Sequence, residues 1–524
     1  AGPGVPGPGA VSPARGPLAA VLDVGTSQLK AALVGADGRF AGSCAQTWGY
    51  ASLPGVPGGL RFAPEELLQA LGRLMVRLGE QCGGLDRVCA VIVSAQRLGG
   101  VLLDRDGGVL EGVPNIDRRA AALCRPLAGA EYEEYYRVCG RWPGAQHMLG
   151  RMRWFAAQPG GAPVGKILSI SDYLTWRLCG EMASDPTTAC ETACLDIGTG
   201  DWSREILDRE GLDRGLFPPL VPPGTVLGRT KGPAARTLGL PEGIPVCAGA
   251  GDTQLGLLGA GALYPGQQAV VAGSSAPVNQ VLSGPRTDPA CRTVTNPYLA
   301  PGLWVMEANA MLTGLSFAWA RDLLFEEGGA EGYRRLEALA RKGLAERGEE
   351  QLFVFAGASL ANSRGGGLYP AGQIRFAMSD WNAGRVSRGA FAFSVFEGAA
   401  LAILANRALL AQAGGESVPE DFLMGGGETK LTLLLELLQR GSGGTLRRGE
   451  GADLTCLGGA VLALTAVGVH PSLEAACAAM VRTAPVSAPG SEALERWAAS
   501  APRRQEAWVR AWRHTAQEHT EKGE

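Results

Sequence analysis

The stretch LAAVLDVGTSQLKAALV (residues 18–34) places a short polar turn between two apolar runs. The runs, 18–22 and 29–34, have the composition of β-strands, and the glycine and hydroxyl residues between them mark a turn. Such a turn can present backbone N–H and hydroxyl groups to phosphate oxygens. A second stretch, QQAVVAGSSAPVNQVLSG (267–284), repeats the arrangement later in the chain. Two strand–turn–strand units, each followed by helices and strands, predict a duplicated α/β fold whose halves face a cleft.

The segments around these two units extend the α/β pattern. Residues 64–81 begin with a proline and a glutamate and carry amphipathic spacing, which is typical of a helix. The segment VCAVIVSAQ (88–96) is typical of a buried strand. The other predicted elements are helices over 310–324, 330–346 and 391–413 and a strand over 352–358.

Length and composition limit the class of protein. The 524 residues predict two or three domains, and 19% charged with 46% hydrophobic residues is a globular balance. A net charge of −3 gives no support for nucleic acid or an anionic membrane surface as a partner. The longest apolar run, LGGAVLALTAVGV (457–469), is shorter than the ~18 residues of a membrane helix and predicts a core helix.

The cysteine and histidine contents narrow the possible chemistry. The 12 cysteines are scattered without a CxxC pair, which favours reduced thiols in a cytoplasmic protein. The four histidines form no HExxH motif and no Cys/His cluster, so zinc chemistry and a Ser-His-Asp triad are poorly supported. Proton transfer is therefore expected to depend on a carboxylate.

The two ends of the sequence differ from the rest in composition. Residues 1–17 are rich in proline and glycine and lack the continuous apolar core of a signal peptide, so we expect a disordered leader. Residues 489–524 predict a C-terminal helix and tail rich in tryptophan and charge. That helix packs either on the body of the protein or on a partner chain, which leaves a monomer and a homodimer as alternatives.

One acid stands alone in the small-residue stretch CAGAGDTQLGLLGAG (247–261). Asp252 lies where an apolar run ends and a glycine-spaced helical pattern begins. It can be the N-cap of that helix. Alternatively, it can be a base, with Gly249, Gly251 and Gly256 allowing a substrate to approach it closely. The stretch by itself leaves both interpretations open.

Four turns considered together indicate a family. We find no GxxxxGK[ST] loop and no GxGxxG dinucleotide motif in its expected context. Instead, the DVGTS, GAGD and AGSS turns and the loop MGGGETK (424–430) resemble the FGGY carbohydrate kinases of the actin- and hexokinase-like superfamily. The resemblance covers residues 18–485 and includes ISDYLTWRLCGE and DPTTACETACLDIGTGDW, which lie within residues 170–202.

This resemblance implies a fold and an activity. The fold would be α/β, with two ribonuclease H-like (actin/hexokinase-type) domains flanking a catalytic cleft. Residues 18–258 would form the N-terminal domain, which holds the sugar substrate, Mg²⁺ and one phosphate loop, and 259–488 would form the nucleotide-binding C-terminal domain. The activity would be ATP-dependent transfer of the γ-phosphate to a hydroxyl of a small sugar or sugar-like substrate.

The resemblance also implies roles for individual residues. Asp252 would accept the proton of the hydroxyl, and Asp23 would hold Mg²⁺ through water. The residues implied to face the phosphates or the rest of the nucleotide are Gly25, Thr26, Ser27, Lys30, Gly273, Ser274, Ser275, Gly314, Gly426 and Gly427. The residues implied to bind the acceptor substrate are Gln96, Arg97, Asn115, Asp117, Asp252 and Thr253.

Several of these residues also have an ordinary structural interpretation. Asp23 can stabilise a turn at a strand end, and Lys30 can be a solvated residue at a strand edge. The last three glycines of the nucleotide set can serve tight helix packing instead of leaving room for a ligand. Asp117 and Arg119 can form a structural ion pair.

Four further motifs resemble the autoinducer-2 kinases within the family. They are NIDRRA (115–120), TNPYLAPG (295–302), LTGLSFAWARD (312–322) and QIRFAMSDW (373–381). These motifs suggest autoinducer-2, dihydroxypentanedione, as a possible acceptor.

Two departures from the family pattern leave the substrate open. Leu98 follows Arg97 where a glutamate is typical, which removes a hydrogen-bond acceptor for substrate hydroxyls. The late helix carries Leu433, Leu438 and Gln439 where a tryptophan and an Ala-Asp pair are typical. One alternative is another ketose or polyol kinase, such as a xylulokinase-like enzyme. The other is a catalytically weak sugar- or nucleotide-binding regulator.

Overall fold

A computed structural model of the chain describes residues 16–124, 130–158, 164–346, 352–363, 374–378, 387–417, 419–451, 453–488 and 490–520. Most of the predicted leader (1–15), the end of the predicted tail (521–524) and both ends of the QIRFAMSDW motif (373 and 379–381) lie outside the described residues. Below, the first half is the chain up to residue 251 and the second half is the chain from residue 252.

The first half contains a six-stranded sheet and an excursion of short strands and helices. Its strands are β1 (Leu18–Val24), β2 (Gln28–Gly35), β3 (Phe40–Thr47), β4 (Ala51–Ser52), β5 (Leu60–Arg61), β6 (Val88–Ala95), β7 (Gly100–Leu103), β8 (Val109–Val113), β9 (Lys166–Ser169), β10 (Leu195–Asp196), β11 (Asp201–Trp202), β12 (Val226–Arg229) and β13 (Pro245–Gly251). Its helices are α1 (Pro64–Cys82), α2 (Ala121–Cys124), α3 (Ala130–Cys139), α4 (Met148–Ala156), α5 (Ile170–Cys179), α6 (Pro186–Ala189), α7 (Arg204–Glu210) and α8 (Gly232–Thr237).

The second half contains a seven-stranded sheet. Its strands are β14 (Gln268–Val271), β15 (Pro277–Leu282), β16 (Val294–Pro297), β17 (Trp304–Asn309), β18 (Leu352–Phe355), β19 (Arg375–Met378), β20 (Phe422–Gly425), β21 (Leu446–Glu450) and β22 (Arg482–Pro485). Its helices are α9 (Asp252–Ala260), α10 (Thr313–Leu324), α11 (Gly329–Glu346), α12 (Arg388–Gly414), α13 (Thr432–Gly441), α14 (Leu454–Ala466), α15 (Leu473–Met480) and α16 (Glu492–Thr520).

The two large sheets share one topology. The first sheet has the order β12-β13-β6-β1-β2-β3, and β1 pairs antiparallel with β2 and parallel with β6. The second sheet has the order β16-β17-β15-β14-β20-β21-β22, and β14 pairs antiparallel with β15 and parallel with β20. In each sheet the predicted strand–turn–strand unit forms the central hairpin. The predicted duplicated α/β fold of two ribonuclease H-like domains is confirmed.

Helices α9 and α14 are exchanged between the two sheets. α9 follows the last parallel strand of the first sheet but packs on β14, β20 and β21, whereas α14 follows β21 and packs on β1 and β6. The two helices also pack on each other, and both contribute to one apolar core between the sheets. The predicted limit at 258/259 falls within α9, and the division of the chain into 18–258 and 259–488 stays a prediction.

Glycines allow this helix pair to approach backbone to backbone. A Cβ added to Gly458 of α14 would lie 1.9 Å from the carbonyl oxygen of Leu255 in α9. A Cβ added to Gly259 of α9 would lie 2.0 Å from the carbonyl oxygen of Leu454. Both distances are far below van der Waals contact, so only glycine fits at these two positions.

Helix α12 is the central helix of the second half. By length and composition it is apolar enough to cross a membrane, but 89% of its most apolar window is buried inside the protein. Glu397 and Arg407 interrupt its apolar sequence, in line with the expectation about uninterrupted apolar runs, but its average hydropathy still reaches that of a membrane helix. α12 is therefore a long core helix of the second half.

The C-terminal helix α16 packs on the body of the same chain. α16 packs on α12 and α13, and its Trp508 is fully buried with its ring 5.6 Å from that of Phe355. The indole Nε1 of Trp497 donates a hydrogen bond to Glu397 Oε1 at 2.8 Å. Leu433 and Leu438 of α13, two of the departures noted above, belong to the same core and are also fully buried. The altered residues of the late helix thus contribute to packing within the second half.

Candidate active site

Three parallel strands of the first sheet end side by side. Val24 of β1 is level with Ala95 of β6, and Ala95 is level with Gly251 of β13. This register brings Asp23, the loop after β6 and Asp252 to one edge of the sheet. Carboxyl ends of parallel strands are the usual place for a ligand site in α/β proteins.

Asp252 is accessible at this edge. It is the first residue of α9, and Gly251 occupies the N-cap position, so the N-cap interpretation of Asp252 is not what the structure shows. Its Oδ1 accepts a hydrogen bond from the Thr253 N–H at 2.7 Å, and Arg97 Nε lies 3.9 Å away. The side chain is 33% exposed, enough for a substrate hydroxyl to reach it. Burial raises its pKa, although Arg97 and the Thr253 hydrogen bonds oppose this, and a raised pKa makes the carboxylate a better base.

The glycines around Asp252 have mainly structural roles. A Cβ on Gly249 would lie 2.1 Å from the Val93 carbonyl oxygen in β6, so close strand packing requires glycine there. A Cβ on Gly256 would lie 3.3 Å from a methyl of Val271. The interpretation that these two glycines open space for a substrate is wrong, because the space is filled by neighbouring protein atoms.

Asp23 is the residue that the sequence suggests for Mg²⁺. Its side chain is buried, and Oδ1 has no hydrogen-bond partner among the described residues. Burial raises its pKa to about 7, although nearby Lys30 opposes this shift. An unpaired carboxylate oxygen fits the needs of a hydrated Mg²⁺. The described part of the chain contains no group of three or more His, Cys, Asp or Glu side chains that could hold a metal, so phosphates and water would complete the shell.

Lys30 is not a free strand-edge lysine. Its Nζ lies 2.6 Å from Asp453 Oδ2 and 3.4 Å from Asp23 Oδ2. Asp453 also caps α14, because its Oδ1 accepts a hydrogen bond from the Cys456 N–H at 3.0 Å. Lys30 therefore joins the first hairpin to Asp453 at the start of α14. Sequence reasoning missed Asp453, whose only local signal is an acid before an apolar helix.

The first turn is fastened by two of the residues that were predicted to bind substrate. Asn115 Nδ2 donates to Thr26 Oγ1 at 2.8 Å, and Gln96 Oε1 accepts from the Asn115 N–H at 3.0 Å. Asn115 Oδ1 is buried without a partner among the described residues, whereas Ser27 is exposed and Gly25 is half-buried. Gln96 thus orients the loop, and Asn115 offers a free acceptor.

Asp117 occupies a structural ion pair. Its Oδ1 is 3.0 Å from Arg119 Nε, its Oδ2 is 3.3 Å from Arg151 Nε, and it accepts a hydrogen bond from the Leu60 N–H at 2.7 Å. The carboxylate is fully buried. The ion-pair alternative is the arrangement observed, and the prediction that Asp117 contacts substrate finds no accessible oxygen to support it.

A pocket lies beside the loop after β6. Its wall combines apolar Leu98, Met148 and Trp202 with polar Arg97 and Glu191. Leu98 has a φ of 71°, which is strained for a leucine, and its carbonyl accepts a hydrogen bond from Arg151. Strained backbone held by a buried arginine at a pocket wall is typical of a functional loop.

In the second half, the AGSS turn lies against the start of α10 and against the MGGGETK loop. A Cβ on Gly314 would lie 1.9 Å from the Gly273 carbonyl oxygen, and one on Gly426 would lie 2.1 Å from the Ala272 carbonyl oxygen. These two glycines serve backbone packing, as the structural alternative proposed. Gly273 and Gly427 have open space around them, Ser274 is exposed and Ser275 is half-buried.

Glu428 is a buried carboxylate that sequence reasoning did not single out. Its Oε1 accepts a hydrogen bond from Thr313 Oγ1 at 2.6 Å, and burial raises its pKa to about 8 against the opposing effect of that hydrogen bond. In the folded state Glu428 keeps its proton up to about pH 8, whereas in the unfolded state it loses the proton near pH 4.5. The free energy of unfolding therefore decreases as pH rises from 4.5 to 8.

We predict that Glu428→Gln removes this pH dependence, because glutamine keeps an acceptor for Thr313 without a charge. Relative to wild type, the variant should gain at least ~1 kcal/mol in free energy of unfolding between pH 5 and pH 8. Urea unfolding at both pH values measures the gain. Glu492→Gln is the control, since Glu492 is 89% exposed. The prediction would be contradicted if the free energy of unfolding of Glu428→Gln differed from that of wild type by the same amount at pH 5 and pH 8.

Comparisons with known proteins agree with this architecture. Residues 18–259 match the family model "FGGY family of carbohydrate kinases, N-terminal domain". The chain is 32% identical over 335 residues to autoinducer-2 kinase of Escherichia coli K12, a match that spans 61% of this chain and 63% of that protein. It is 29% identical over 497 residues to autoinducer-2 kinase of Enterobacter sp. 638, with 90% and 91% covered.

A solved structure shares the fold over nearly the whole chain. Xylulose kinase from Lactobacillus acidophilus superposes with a TM-score of 0.82 at 19% identity, covering 95% of this chain and 98% of that one. At this identity the likeness concerns the fold. Taken with the family model, the relatives and the four turns, it leads to one conclusion: residues 18–259 form an N-terminal domain of the FGGY carbohydrate kinase type, and the whole chain has the fold of that xylulose kinase.

Proposed function

We propose that the protein is an ATP-dependent kinase that transfers the γ-phosphate to a hydroxyl of a small sugar or sugar-like substrate. The observation that carries this proposal is the position of Asp252. It is an accessible carboxylate directly after β13, at the same sheet edge as the first glycine-hydroxyl turn, and it begins a helix that packs on the second sheet. Phosphoryl transfer needs positioning, charge neutralisation and a proton acceptor, and little else from the protein.

In this proposal the two halves hold the two substrates. Gly25, Thr26 and Ser27 in the first turn, and Gly273, Ser274 and Ser275 in the second, face the phosphates of ATP. Gly427 borders the rest of the nucleotide. The pocket lined by Gln96, Arg97 and Glu191 takes the acceptor, and Asn115 and Thr253 are proposed as further contacts to it.

The reaction then needs one proton transfer by the protein. Asp252 removes the proton of the acceptor hydroxyl while that oxygen attacks the γ-phosphorus and the bond from the γ-phosphorus to the bridging oxygen breaks, which releases ADP. Asp23 would hold Mg²⁺, which supplies charge neutralisation on the phosphates. Lys30 keeps the Asp23 carboxylate in place while it is itself fixed by Asp453.

The acceptor is the open part of the proposal. The autoinducer-2 kinases among the relatives favour dihydroxypentanedione, whereas Leu98 in the pocket wall favours testing other ketoses and polyols. We include a cytoplasmic location in the proposal, because the twelve cysteines, all within the described residues, form no disulfide. A monomer and a homodimer both remain compatible with it.

We expect ADP release that depends on both Mg²⁺ and an acceptor. A coupled assay with dihydroxypentanedione, xylulose, ribulose, glycerol and gluconate measures it, and one acceptor should give a kcat/KM at least ~10-fold above the others. Chelation of Mg²⁺ should abolish the signal. ATP binding without ADP release for every acceptor would overturn the kinase proposal and favour the binding-regulator alternative.

A further inference from the structure

One ion pair crosses from the second sheet to the loop that carries the candidate acceptor site. Glu307 Oε2, on β17, lies 2.8 Å from Arg97 Nη1 in the first half. The Glu307 side chain is 7% exposed, and its Oε1 accepts a hydrogen bond from Asn309 Nδ2 at 3.2 Å. Asn309 therefore fixes the Glu307 carboxylate on the second sheet. Glu307 in turn holds the Arg97 guanidinium.

Arg97 has two further carboxylates within reach. Its Nη1 is 3.3 Å from Glu191 Oε1, and its Nε is 3.9 Å from Asp252 Oδ1. The last distance is longer than a hydrogen bond. Because guanidinium is a rigid planar fork, the contacts of Nη1 determine where Nε points. Glu307 and Glu191 thus draw the fork away from direct pairing with Asp252.

Arg141 is a second arginine of the first half that contacts a residue of the second sheet. Arg141 Nη1 donates to Glu191 Oε2 at 2.5 Å, and Arg141 Nη2 donates to Asn296 Oδ1 on β16. Glu191 is therefore shared by two arginines of the first half, each of which reaches one acceptor on the second sheet. The charges that act on Asp252 are Arg97, Glu191 and, at the same sheet edge, Asp23.

We propose that Glu307 is a positioning residue that acts through Arg97. When the halves are together, Glu307 holds the guanidinium beside Asp252 without letting it pair directly, so that Asp252 stays a competent base. When Glu307 is absent or the halves separate, Arg97 turns to Asp252 and lowers its basicity. The acceptor site is thus completed by a residue from the opposite half of the chain. This inference rests on the proposed role of Asp252 as base.

Glu307→Gln tests the proposal, because it removes the charge and keeps the size of the side chain. We expect kcat to fall at least ~10-fold, the acidic limb of the kcat profile to move down by roughly one pH unit, and KM for ATP to stay unchanged. A purely structural role would not move the acidic limb. Glu436→Gln is the matched control, since Glu436 is also 7% exposed and pairs with Arg341 at 2.7 Å in the second half.

A second measurement does not depend on turnover. Small-angle scattering of unliganded Glu307→Gln should give a larger radius of gyration than wild type, for which a compact chain of 524 residues has about 24 Å. If the wild type turns over no acceptor, the kinase proposal fails, and scattering still tests the link. If Glu307→Gln does not fold, Glu307→Asp, with a shorter reach, should change both measurements in the same direction. The proposal is overturned if the Glu307 variant matches Glu436→Gln in kcat, pH profile and scattering.

Discussion

Asp252→Asn is expected to lower kcat at least 100-fold, about the low end of the range for general-base catalysis, while ATP binding persists. Asparagine keeps the size and one oxygen, so the Thr253 N–H retains an acceptor. It cannot take up a proton, so the acceptor hydroxyl would have to lose its proton to water. Steady-state ADP release measures kcat, and calorimetric titration measures ATP binding.

A matched substitution separates this effect from a general loss of charge. Asp208→Asn removes a carboxylate that is 74% exposed on α7 of the first half, and it should leave kcat unchanged. Turnover of Asp252→Asn within a few-fold of wild type would show that another group accepts the proton. Loss of ATP binding together with turnover would place Asp252 in nucleotide binding instead.

Gly458→Ala is expected to destabilise the fold by about 2–3 kcal/mol or more, at the upper end of overpacking effects. The added methyl would lie 1.9 Å from the Leu255 carbonyl oxygen. Relief requires α9 and α14 to move apart, because the obstacle is backbone and cannot rotate away. Since α9 begins with Asp252, the same displacement should also reduce kcat.

A helical glycine without this constraint provides the control. In α1, a Cβ on Gly79 would meet nothing closer than 3.4 Å. Gly79→Ala should therefore stabilise the protein by roughly 0.5–1 kcal/mol through helix propensity. Urea unfolding compares the two variants. Equal free energies of unfolding for Gly458→Ala and wild type would mean that the helix pair is more loosely packed than the structure has it.

The fold was largely predictable because its signals are local. Glycine-hydroxyl turns between apolar runs mark both central hairpins, and amphipathic spacing predicts α1 to within one residue. The helix predicted over 64–81 is Pro64–Cys82, and the one predicted over 391–413 is Arg388–Gly414. The exchange of α9 and α14 between the sheets has no local signal, because it depends on which apolar face each helix covers.

The site was predictable where it consists of turn residues and poorly predictable where it consists of long-range pairs. Glu307 and Asp453 contact Arg97 and Lys30 across 210 and 423 residues of sequence, and each is a single acid in an ordinary segment. Asp117 shows the opposite limit. The NIDRRA sequence is the same whether Asp117 contacts a substrate or a buried arginine. The burial of Asp117 in the structure distinguishes these two roles.

The exchanged helices have a consequence for synthesis of the chain. The apolar face of the first sheet that includes Val21 and Ile92 is covered by α14. That helix is made roughly 200 residues after β13, which takes a ribosome about 10–40 s at ordinary elongation rates. During this interval the part of that apolar face that α14 covers in the native arrangement stays exposed to solvent.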